Sequence, residues 1–424
     1  MRSLMTIETP SRPAGLPHAV FLQRVADEPA TSPDVRLGQG AFLTLRFVDL
    51  LSPDREPPTP DVFRYQWAAT ERYCAELAGE GTEAAHLSGI VRATGEAHQT
   101  GDLHFLAPAL FAYGLYLEQE SHLEEAEDVL RTMVRVGQTR LRASGMISAW
   151  LRLGRVLRMQ TDFDGALEAY AQAGRLASTA GDRQSVLLSR VGQCNVIHFR
   201  GNLAEGEAAW RALLADATAE GFRTIQAQAE HGLGTTLDRR GQPQEGVPHL
   251  WRAYELYEDE QTRLRALGDL GTLLLSIGQV VDAEQALNEV VRRGNAPDNL
   301  ANAKIELMHC ASYRRDRVSF ERWRERALDH CVQSSPNIRT DYHLKMGVGF
   351  ARFENYGRAE QELRRALDIA TTHDLHEFVF RIERLIDKLR DCASHHELAG
   401  AAPEPVNPTK ALREVSASLA ALGD

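Results

Sequence analysis

Residues 150–173 read WLRLGRVLRMQTDFDGALEAYAQA. Apolar residues return every three or four positions, the period of a helix with one buried face. Yet Gly154 sits inside the first half, and Gly165-Ala166 opens the second. A glycine inside a helix costs about 1 kcal/mol relative to alanine, so the position must gain something in return. Two helices joined by a tight turn supply that gain. A small residue in the first lets the second pack close, and both bury area that neither could bury alone.

The stretch recurs. LFAYGLYLEQESHLEEAEDVLRTM (110–133), EHGLGTTLDRRGQPQEGVPHLWRA (230–253), LGDLGTLLLSIGQVVDAEQALNEV (267–290) and HLKMGVGFARFENYGRAEQELRRA (343–366) share its internal spacing. Each sets a glycine (Gly114, Gly234, Gly271, Gly347) ahead of a small residue (Ala126, Gly246, Ala283, Ala359) and a large one (Leu130, Leu250, Leu287, Leu363). Two further units are degenerate. Residues 188–213 carry Gly192 and Trp210 with about two extra residues in the first helix or turn, and residues 303–328 keep the apolar rhythm without the glycine. The glycine-to-glycine steps are 40, 38, 42 and 37 residues, then 76 to Gly347. Asp162, Gly201, Gly241, Gly278 and Asn355 fall where the turns belong.

At these residues the chain resembles the tetratricopeptide repeat (TPR) family, whose pattern is W-x2-L-G-x2-Y followed by A-x3-F. Trp150, Leu153, Gly154, Leu157, Ala166 and Tyr170 follow it, with Leu for the first Tyr and Tyr for the Phe. The steps exceed the family's minimal repeat of about 34 residues, as in the longer variants found in bacterial regulatory TPR proteins. The resemblance implies an all-α, right-handed α-solenoid of about seven TPR-like helix pairs with N- and C-terminal capping helices. Such units stack on their neighbours and need polar-backed caps at both ends.

Proline divides the chain. Of 17 prolines, nine fall in residues 1–60 and three in 403–408. The reading is a disordered Pro-rich N-terminus over 1–34 and an N-terminal helical cap over 35–100, with Asp61 as a helix N-cap. The solenoid follows over 101–373, a C-terminal capping helix over 374–390, and a flexible linker with a short terminal helix over 391–424.

With 424 residues and a net charge of −11, non-specific binding to nucleic acid or anionic membranes is not the default. The five cysteines are widely spaced with no C-x-x-C pair, which argues against a disulfide framework and a zinc site. No apolar run reaches the roughly 18 residues a membrane helix needs. A reducing cytoplasm is the expected location. No phosphate-binding glycine loop, nucleophile elbow or H-E-x-x-H pattern is present. The expectation is therefore a non-catalytic protein, with no metal and no cofactor.

What remains is a surface. In TPR proteins the first helix of each pair lines the groove, so the resemblance implies a protein- or peptide-binding scaffold or adaptor, possibly regulatory. Candidate contacts are Arg152, Arg155, Arg158, Arg190, Gln193, His231 and Asp238. The three arginines of one helix form a basic stripe suited to a carboxylate or acidic peptide. An arginine-mediated nucleic-acid-associated regulator is the alternative, and self-association is compatible with either.

Overall fold

The computed structural model describes residues 16–25, 32–138, 140–331, 334–373, 375–395 and 408–422. Every regular element among these residues is helical. The chain divides into two compact units, Met1–Val196 and Ile197–Asp424.

Unit 1 opens with a 3-10 helix (Ala19–Val25), then α1 (Pro33–Val48), α2 (Pro60–Glu76) and α3 (Thr82–Thr100). Two helix pairs follow: α4 (Leu106–Gln119) with α5 (Leu123–Gly137), and α6 (Ala143–Met159) with α7 (Phe163–Ala180). The unit boundary falls inside α8 (Arg183–Phe199). Unit 2 continues with α9 (Leu203–Ala219), α10 (Arg223–Arg239), α11 (Pro243–Leu256), α12 (Glu260–Ser276) and α13 (Val280–Arg293). It ends with α14 (Pro297–Tyr313), α15 (Arg317–Cys331), α16 (Pro336–Arg352), α17 (Tyr356–Thr372), α18 (His376–His395) and α19 (Lys410–Ala420). From α4/α5 to α16/α17 these are seven helix pairs.

One turn joins all seven pairs. Its middle residue is left-handed: Ser121, Thr161, Gly201, Gly241, Gly278, Arg315 and Glu354 all have positive φ. The amide of the next residue then reaches back to the first helix, as in His122 N to Leu117 O (2.9 Å) and Asn355 N to Phe350 O (2.9 Å). That bond satisfies a carbonyl left open at the helix end. Asp162 and Asn355 go on to cap the second helix, accepting from Gly165 N and Arg358 N.

The glycines explain themselves by what a side chain would strike. A Cβ on Gly154 would lie 2.9 Å from the Tyr170 ring. Gly114 faces Leu130, Gly234 faces Leu250, Gly271 faces Leu287 and Gly347 faces Leu363, all at the same separation along the chain. Gly192 is a different device. It faces Tyr170 of the preceding pair, as Gly232 faces Trp210. The residue in the Gly154 register of α8 is Cys194, so α8 holds no insertion, and the irregular steps of 38 and 42 residues become 40 and 40. In α14 the register position is held by Met308. Its partner α15 carries Phe320 where other second helices have a small residue, and Gly349 of α16 clears the space for that ring.

The termini differ from the composition-based reading. Residues 16–25, placed in a disordered tail, turn into the 3-10 helix at Ala19, with Phe21 fully buried. Phe21 stacks on Tyr113 (6.4 Å between centroids). Arg24 donates to Glu125 Oε1 (2.8 Å) and Glu83 Oε2 (3.0 Å), and His18 lies between Asp128 (2.5 Å) and Asp49 (3.3 Å). One apolar anchor and two charge clusters therefore hold a segment whose prolines suggested none. Thr59, not Asp61, caps α2, and Asp61 pairs with Arg64 one turn in. α18 runs to His395, so the first residues of the expected linker are helical. Residues 1–15, 26–31 and 396–407 lie outside the described residues.

Candidate functional site: the first-helix face

In unit 1 the arginine stripe is folded onto a carboxylate. Arg152 Nη1 donates to Glu118 Oε2 (3.1 Å) and Arg155 Nε to Glu118 Oε1 (2.5 Å). Glu118, on α4, is buried. Arg152 also sits over the Phe111 ring, 5.7 Å from its centroid. Arg158 is held beside Tyr170, and burial pulls its guanidinium below the usual range while Tyr170 opposes the shift. Arg190 and Gln193 are half-buried on α8. Arg190 lies near Cys194, whose thiol burial pushes up to about 12, so Cys194 is a packed thiol rather than a nucleophile.

In unit 2 the neighbouring first helices α10, α12, α14 and α16 pack side by side. His231 is buried on α10, its Nε2 2.7 Å from Asp269 of α12 and its Nδ1 3.3 Å from the Tyr257 hydroxyl. A carboxylate can only accept, which places the ring proton on Nε2 and lets the tyrosine donate to Nδ1. His231 therefore positions Asp269. Asp238 is exposed at the far end of α10.

Between α12 and α14 lies a cleft of about 90 Å³. Its walls carry Arg265, Asp269, Thr272, Asn299, Asn302 and Glu306, and its floor is Leu264, Leu287 and Val290. Arg265, Thr272 and Asn302 are exposed, while Asp269 is half-buried. Asn299 Nδ2 donates to the Gln261 carbonyl (3.2 Å), and Thr272 donates to Glu306 Oε1 (3.2 Å). Behind the cleft Lys345 of α16 bonds both Glu306 and Asp341, the latter at 2.6 Å. Burial opposes the Lys345 charge, but Asp341 and Glu306 outweigh it and hold the ammonium's pKa above the usual lysine range. Burial pushes the Glu306 carboxyl up, against the pull of Lys345.

The candidates read from the sequence lie two or three before, one after and four after the repeat glycine. In α6 the two-before and one-after positions, Arg152 and Arg155, are half-buried and exposed. In α12 and α16 the three-before and four-after positions lie at or near the packing side: Leu275, Leu344 and Ala351 are buried. The exposed row runs six before, two before and one after, as in Arg265, Asp269 and Thr272. Asn302 and Glu306, six before and two before Met308, were not among the candidates because those two rows of α14 were not read as part of the face.

No protein-family model and no curated protein matches the chain. Among solved structures it is similar to the Rap conjugation gene regulator of the plasmid pLS20 in complex with the Phr* peptide. The identity is 11% and the TM-score 0.51, over 85% of this chain and 99% of that one. A Rap protein complexed with competence and sporulation factor gives 11% identity and a TM-score of 0.48, over 87% and 100%. The apo form of the quorum sensor NprR from B. thuringiensis gives 12% and 0.46, over 82% and 97%. Seven helix pairs joined by one kind of turn, five of them closed over a glycine and matched in fold by the plasmid regulator, make this chain a TPR-like all-α solenoid.

Proposed function

We propose that this chain is a non-catalytic regulator or adaptor that binds a short linear peptide on the first-helix face of unit 2. The observation that carries the reading is the cleft between α12 and α14. An extended peptide presents N–H and C=O groups along its length, and each needs a partner when water is displaced. Asn302 can donate and accept at once, Arg265 donates, and Asp269 accepts. His231 fixes Asp269 in place, which lowers the ordering cost of binding. The apolar floor gives one side chain of the peptide a seat. The pLS20 regulator, similar in fold, was solved in complex with a peptide, which supports the same class of ligand here.

The residues read from the sequence keep a place in the proposal with altered roles. His231 acts through Asp269, and Asp238 borders the face on α10. In unit 1, Arg152 and Arg155 with Glu118, Arg158 behind them, and Arg190 and Gln193 on α8, form a further contact surface of mixed charge. An arginine stripe committed to Glu118 does not favour the nucleic-acid alternative. A cytoplasmic setting belongs to this reading, supported by four buried cysteines carried as free thiols.

The test is selection of peptides from a synthetic linear-peptide library on the wild-type chain, followed by fluorescence polarisation with the selected peptide. Asn302→Ala and Arg265→Ala should each weaken binding roughly tenfold, about 1.4 kcal/mol, with helicity by circular dichroism unchanged. Equal affinity for wild type and both variants would remove the cleft from the peptide site.

A further inference from the structure

The last helix, α19, lies on the second-helix side of unit 2, packed against α11 and α13. Leu412, Val415 and Leu419 share one of its faces and are buried. Arg413, Glu414 and Ala417 are exposed on the other. Thr409 caps the helix, accepting from Leu412 N (3.2 Å), and the Ser416 hydroxyl donates to Asp282 of α13. Three apolar side chains and one hydroxyl make the seat.

Two features make this seat exchangeable. α19 has 11 residues, fewer than the roughly 12–15 an isolated helix needs in water, so its helicity depends on being docked. It follows α18 by residues 396–409, a tether whose full extension is on the order of 45 Å. A helix held at one face by a long tether can occupy the same seat on a neighbouring molecule without losing a contact.

We infer that the groove between α11 and α13 is a helix-exchange site, in which α19 of a second copy of this chain replaces the molecule's own. The second copy is the occupant whose fit is already visible: the same Leu412, Val415 and Leu419 fill the apolar slot, and the same Ser416 meets Asp282. Exchange is reciprocal and closes as a dimer. It is independent of the peptide cleft, which lies between α12 and α14.

The test uses full-length chains with Cys392→Ser; the other four cysteines are buried, so the introduced thiols report. One copy carries Asp282→Cys and a differently tagged copy carries Ser416→Cys. The two are mixed and treated with a short bis-maleimide. Neither copy holds both thiols, so a covalent heterodimer arises only from exchange. The heterodimer should form, increase with protein concentration, and disappear when Leu412→Asp is added to the Ser416→Cys copy. A single chain carrying both substitutions is the control. If that chain closes internally while the mixture yields no heterodimer at any concentration, the tail stays on its own molecule and the inference is overturned. If the control does not close either, the docking itself is refuted and the inference goes with it.

Discussion

A methyl group placed on Gly192 would sit 2.2 Å from Cε1 of Tyr170. The tyrosine ring therefore fixes the spacing between α7 and α8. It faces Gly154 as well, at 2.9 Å, so one ring sits against two bare stretches of backbone. Gly192→Ala should destabilise the chain by roughly 1–3 kcal/mol through overpacking, although alanine is the better helix former by about 1 kcal/mol. Gly206→Ala is the contrast. Its nearest neighbour is 3.7 Å away, so it should be neutral or stabilising. Thermal melts of both variants check the pair, and a Gly192→Ala protein as stable as wild type would refute the packing.

The left-handed turns give a prediction of opposite sign. Glu354 is exposed with φ 62°, a conformation that costs a side-chain-bearing residue about 1–2 kcal/mol. Glycine adopts it freely but pays some of this back in unfolded-state entropy. Glu354→Gly should gain roughly 0.5–1 kcal/mol, and Gly241→Ala (φ 78°) should lose about as much. Urea titrations of the two variants should bracket wild type.

The N-terminal 3-10 helix is held more firmly in acid. Burial opposes charge on His18, but the hydrogen bond to Asp128 and the nearby Asp49 carboxylate outweigh it, and the pKa is raised above the ordinary 6.5. Burial likewise opposes charge on Asp49, while His18, Arg135 and Arg55 hold its carboxyl below the usual range. A raised histidine pKa stabilises the fold fully below the unfolded value and ceases to do so as pH climbs through the folded value. The stability difference between wild type and His18→Gln should be largest near pH 6 and shrink toward pH 9. Paired thermal melts at the two pH values measure it, and a difference that grew with pH would contradict the assignment.

Glu118 and its two arginines should respond unequally to truncation. Arg155 has about half its side chain in water (48%), so Arg155→Ala should cost under about 1 kcal/mol. Glu118→Ala removes the shared buried acceptor and leaves Arg152 and Arg155 facing each other near Arg158. That should cost roughly 1–3 kcal/mol. Urea titration separates the two, and a Glu118→Ala protein no weaker than Arg155→Ala would mean that the carboxylate does not hold the stripe.

The fold was legible in the sequence because close packing leaves a local mark. Gly114, Gly154, Gly234, Gly271 and Gly347 each face a large residue at one fixed spacing, so both partners of the contact lie within one short stretch. Asp162 and Asn355 were likewise readable as turn and cap, since each bonds an amide three residues on. The local rule failed where the contact crosses between pairs. Gly192 belongs to Tyr170 of the preceding pair and Gly349 to Phe320, and neither spacing repeats often enough to be seen.

The site was legible only in outline. The sequence by itself determined the helix pairs, and its TPR resemblance supplied only the expectation that first helices line the binding face. Whether Arg155 meets solvent or Glu118, whether His231 binds a ligand or steadies Asp269, and whether α19 floats or docks depend on residues brought together from distant parts of the chain. Helical periodicity specifies that a side chain leaves the core. It does not specify which neighbour waits there, because that neighbour belongs to another helix whose position only tertiary packing sets.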